Sequence, residues 1–117
     1  MKLPFALLIA VLVSACSSPE QLKTKPPIYS GSSTKDIPSL AGCISDALEG
    51  QRMRNIQARP AANGYVVSRV DQTLYGSDTV FLIELQRTGN RVSIVALSSL
   101  PLEAGNRMIV SAIRSCE

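Results

Sequence analysis

The chain has 117 residues, 45% of them hydrophobic, which suits a single ordered domain of ordinary composition. A net charge of +3, falling by one if Lys2 is removed with a leader, is too mild to argue for nucleic acid. Histidine is absent, so the commonest general base and metal ligand is missing, and tryptophan is absent as well.

At the amino terminus, Lys2 supplies a positive charge and residues 3–13 form an almost unbroken apolar run. That run, about eleven residues long, is too short to span a bilayer, which needs roughly 20, and reads as the core of a signal peptide over residues 1–15. Val13, Ser14, Ala15 and Cys16 then place small residues directly before a cysteine. This motif resembles the bacterial lipobox. The resemblance implies cleavage before Cys16, a diacylglyceryl group on its sulfur and acylation of the new amino terminus. One acyl chain binds a membrane only marginally, whereas two or more hold stably. Ser17 and Ser18 follow, with no aspartate at the second mature position, which in the enteric sorting rule resembles an outer-membrane address facing the periplasm.

Residues 17–38 hold Pro19, Pro26, Pro27 and Pro38 among Ser, Lys, Thr and Gly. Such a composition predicts a flexible tether, so residues 16–38 are expected as acylated cysteine plus linker, reaching about 60–70 Å when drawn out. Lys23, Lys25 and Lys35 are expected as solvated linker charges. A globular domain is expected over residues 39–117.

Within it, Ile37, Leu40, Cys43, Ile44, Ala47 and Leu48 recur at helical spacing and predict a helix over residues 38–49, with Asp36 or Ser39 as cap and Gly50 as stop. Residues 52–59 alternate weakly and read either as an edge strand or as an extension of that helix. Residues 60–64 form a turn cluster and residues 65–70 a strand. A loop is expected over 71–78, then two strands, 79–86 and 92–97, joined by Thr88, Gly89 and Asn90 in the strongest hairpin signal of the chain. Pro101 breaks the last strand. Ile109, Ala112, Ile113 and Cys116 then share one helical face, favouring a closing helix over residues 105–116. The expected fold is α+β: helix, antiparallel meander of three or four strands, helix.

With Cys16 acylated, Cys43 and Cys116 form an even pair in an exported chain and are expected as a disulfide joining the first helix to the carboxyl terminus. The closed loop of about 70 residues is worth roughly 4.5 kcal/mol in the chain-entropy picture. The run Ala41, Gly42, Cys43, Ile44 in a first helix, followed by strands and a terminal Ala112, Ile113, Arg114, Ser115, Cys116, resembles small lipoproteins of Gram-negative proteobacteria. The resemblance implies fold and location only.

No catalytic constellation stands out. Asp71 and Asp78 flank one loop and read better as turn caps than as a carboxylate pair or Ca²⁺ site, and no Gly-x-Ser-x-Gly run is present. No cofactor and no metal are expected. Arg52, Arg54, Arg59 and Arg69 crowd the first predicted hairpin and could form one basic patch for phosphate or carboxylate groups, although a solvated sheet face accounts for them more simply. Tyr65 and Tyr75 invite glycan stacking, but Tyr65 suits cross-strand packing. The expectation is a non-enzymatic accessory lipoprotein, bound to the membrane through Cys16, that binds or helps assemble an envelope protein partner. The alternative is a small inhibitor or immunity-type protein that blocks a hydrolase or toxin.

Overall fold

Cys43 and Cys116 are joined by a disulfide, with Cα atoms 5.8 Å apart, in a computed structural model that describes residues 18–117. The bond pins together two fourteen-residue helices, α2 (Ile37–Gly50) and α3 (Glu103–Cys116). Asp36 caps α2 by accepting the backbone N–H of Ser39 at 3.1 Å, and Pro38 occupies the first turn, where its missing N–H costs nothing. Leu40, Ile44 and Leu48 form the stripe that α2 buries, and Ile109, Ile113 and Cys116 that of α3. The closing segment is therefore helical, as its periodicity favoured.

Both helices cover one face of a five-stranded antiparallel sheet. Its strands are β1 (Tyr29–Ser33), β2 (Ile56–Ala61), β3 (Gly64–Thr73), β4 (Gly76–Thr88) and β5 (Arg91–Ser98), in the spatial order β1-β5-β4-β3-β2. Strands β2 to β5 make a meander, and residues 52–59 resolve as loop and edge strand, not helix. The inner face carries Val67, Phe81, Ile83, Leu85, Val92, Ile94 and Ala96 into the core shared with α2 and α3.

Three expectations change. The sheet has five strands where three or four were expected, because β1 adds to β5 with Tyr29 opposite Ala96 and Ser33 opposite Val92. Apolar patterning misses it, since Ser30, Gly31 and Ser32 contribute main-chain hydrogen bonds and almost no apolar area. The segment expected as a tether also holds a short helix, α1 (Pro19–Lys23), fixed by a capping box between Ser18 and Gln21. Its Leu22 is fully buried against Leu82 and Leu97 on the outer face of the sheet. Last, residues 71–78 are not a loop: β3 and β4 continue in register to a two-residue turn at Leu74 and Tyr75. A register shift between Arg69 and Val70 leaves Val80 as the extra residue, so Val80 and Phe81 both reach the inner core.

The expected signal peptide and Cys16 lie outside the described residues. Among the described residues no helix is long and apolar enough to cross a membrane.

Candidate functional site

The β3–β4 ribbon ends in the most exposed apolar pair of the described residues, Leu74 at 99% and Tyr75 at 88% of their full accessible surface. Isolated exposed apolar side chains are ordinary, but two adjacent ones at the end of a ribbon form a contact point with nothing to shield it. The turn beneath them is braced. The Thr73 hydroxyl donates to the Gly76 carbonyl at 2.9 Å and accepts the Tyr75 N–H at 3.3 Å. Gly76, at φ +126°, admits a backbone conformation that side-chain-bearing residues avoid.

Below the tip, Asp71 and Asp78 face each other across the two strands. Turn capping does not explain Asp71. Arg69 donates to both of its oxygens at 3.2 Å, and Asn55 donates to Oδ1 at 3.2 Å. The Arg69 bonds, helped by Asn55, hold the Asp71 carboxyl below its ordinary pKa despite partial burial that pushes the other way. Residues 69 and 71 lie on one side of a strand, and that spacing is the signal from which this pair was available. Among the described residues no group of three or more acids and cysteines is arranged to hold a metal ion.

The four arginines singled out from the sequence separate. Arg69 pairs with Ile56 and Phe81 on the helix-covered face. Arg59 lies opposite Val66 on the outer face, where it meets Gln57, its neighbour two residues along the strand. Arg52 and Arg54 sit on the exposed connection between α2 and β2, with Arg52 at φ 64°. The sheet itself divides Arg59 from Arg69, because residues an odd number of positions apart across a paired register point to opposite faces. Tyr65 packs beside Leu85 at the core margin, as cross-strand packing predicts, whereas Tyr75 is at the tip.

The outer face carries a second feature, which sequence reasoning missed. A groove of about 440 Å³ runs between α1 and the strands, bordered by Pro19, Lys23 and Arg59 and floored by Val66, Leu82 and Glu84. Its floor mixes the apolar Val66, Val70 and Leu82 with the polar Ser68, Thr79, Glu84 and Gln86. Val66 and Leu82 would face water without α1 above them. A larger cleft of about 540 Å³ lies on the opposite layer, where Ile28 meets Asn106, Val110 and Arg114 of α3. Beside it, Arg114 stacks over the Tyr29 ring at 5.7 Å from the centroid, and the Tyr29 hydroxyl donates to the Glu117 carboxylate.

Neither a protein-family model, nor a curated protein, nor a solved structure matches this chain.

Proposed function

We propose that the chain is an exported lipoprotein, held by lipid on Cys16 in the outer membrane and facing the periplasm. In this reading it works as a non-enzymatic binding or assembly factor of the cell envelope. The observation that carries the binding role is the braced apolar tip of Leu74 and Tyr75, a pair whose exposure is unfavourable unless a partner covers it. The Cys43–Cys116 bond supports the compartment, since such bonds persist where the environment is oxidising. The lipobox-like run ending in Cys16 supports the anchor. The tip also supports the second reading, an inhibitor or immunity-type protein, because a narrow two-stranded ribbon with an aromatic end has the shape of a wedge for an enzyme cleft.

Fractionation and crosslinking in intact cells test these together. Cys16→Ser should move the protein from the membrane to the soluble fraction, and persistence in the membrane would end the anchor. A partner crosslinked near stoichiometry that is lost in Leu74→Ser/Tyr75→Ser, with thermal stability unchanged, would support the tip. An unaltered crosslinking pattern would refute its role. A partner made by the same resting cell distinguishes an assembly factor. A captured secreted or foreign hydrolase distinguishes an inhibitor.

A further inference from the structure

We propose that the outer face of the sheet lies against the bilayer surface, with α1 as a short strap that prevents the domain from standing off the membrane. This inference rests on the lipid anchor at Cys16 proposed above. A single residue, Ser17, separates that anchor from Ser18, the N-cap of α1. At no more than about 3.6 Å per residue, the anchored Cα lies within roughly 7 Å of the cap. From there α1 has no freedom to swing, because Leu22 is fully buried on Leu82 and Leu97. An acylated Cys16 would therefore fasten the sheet by its outer face, not by the end of a long linker.

The chemistry of that face suits a layer of anionic headgroups. Lys23 and Arg59 border the groove beside α1, and Arg91 lies further along the same face, bonded through Nε and a terminal nitrogen to the Ser32 hydroxyl. The acids on this side are Glu84 on the groove floor and Glu20 on α1, so the cations outnumber them. The opposite layer, α2 and α3, would face away from the lipid, with the cleft beside Ile28 open to solution.

The absence of tryptophan gives a clean probe. The acylated full chain carrying Gln86→Trp on the outer face, or Met108→Trp on α3, would be reconstituted into phosphatidylethanolamine–phosphatidylglycerol vesicles containing a lipid with a nitroxide on its headgroup. Quenching should be several-fold stronger at position 86 than at position 108. A run of twenty Gly and Ser residues inserted between Ser17 and Ser18 leaves the domain intact and lengthens the connection to about 25 Å, so the difference should collapse. Equal quenching at the two positions of the parent chain would overturn the proposal. So would a difference that survives the insertion, since the strap would not then be its cause. If the protein fails to float with vesicles at all, the lipid anchor itself falls and the orientation with it, a result distinct from equal quenching on floated vesicles.

Discussion

Gly64 opens β3 where the neighbouring chain comes closest, and a Cβ there would run into the Leu85 carbonyl of β4. The obstacle is backbone in the middle of a sheet and cannot rotate aside. Gly42, on the exposed side of α2, has nothing within 4 Å of an added Cβ. The two glycines therefore have opposite values. Gly64→Ala should lower the denaturation midpoint sharply, and Gly42→Ala should raise stability by up to about 1 kcal/mol through helix propensity. Paired urea titrations check both signs. Asp71 makes a second residue-scale prediction. Its pKa lies below the unfolded value, so its contribution is present above about pH 4 and is lost as pH falls through the lower folded pKa. Both partners are about one-third exposed, at 29% and 32%, so the pair is worth no more than about 1 kcal/mol. Asp71→Asn should be less stable than the parent at neutral pH, and the gap should close in acid. A gap that stays constant down to pH 2 would show that charge is not the cause.

At the scale of elements, the disulfide reinforces a contact that α2 and α3 already make by packing. Ala41 and Ile44 of α2 and Ala112 and Ile113 of α3 all belong to the one buried core that the helices share with the sheet. The bond closes a loop with a sequence separation of 73, for which restriction of the unfolded chain is worth roughly 4.5 kcal/mol. Reduction should thus remove a large part of the stability of so small a domain, read as a shift in urea midpoint, and unchanged midpoints would refute it. The same elements show what patterning can and cannot reveal. Helices α2 and α3, the β4–β5 hairpin and the cysteine pair were legible because each concentrates apolar residues at a fixed period, or leaves one pairing open. Strand β1 was not legible, because the hydrogen bonds that hold it are invisible in the residue types Ser, Gly and Ser. Helix α1 was hidden for a related reason: one leucine anchors it, and a proline-rich composition argues against order wherever a single buried side chain is not weighed. The lengths of β3 and β4 were missed because Gln72, Thr73 and Ser77 read as loop, although a paired ribbon beyond the core needs no apolar side chains. Of the candidate site, the arginines were grouped by sequence distance, and β2–β3 pairing sends Arg59 and Arg69 to opposite faces.

At the scale of the whole molecule, the described residues present three unlike surfaces: a helical layer with a cleft, a sheet face bordered by Lys23 and Arg59, and an apolar tip on the β3–β4 ribbon. If the sheet face rests on lipid, the tip points along the membrane plane, because the ribbon is part of that sheet. A partner reached by Leu74 and Tyr75 would then be a neighbour at the same membrane, met edge-on, and not a molecule approaching from solution. The strand order carries one more consequence. β1 precedes α2 in the chain yet pairs with β5, and the cysteine of α2 finds its mate one residue from the carboxyl end. Both closures join regions far apart in sequence, which makes the contact order high and folding slow to begin. A chain emerging amino end first would keep β1 without a neighbour until β5 had appeared, and Cys43 without its mate until Cys116 had. The domain therefore stays open along most of its length and locks only when its last strand and last helix are in place.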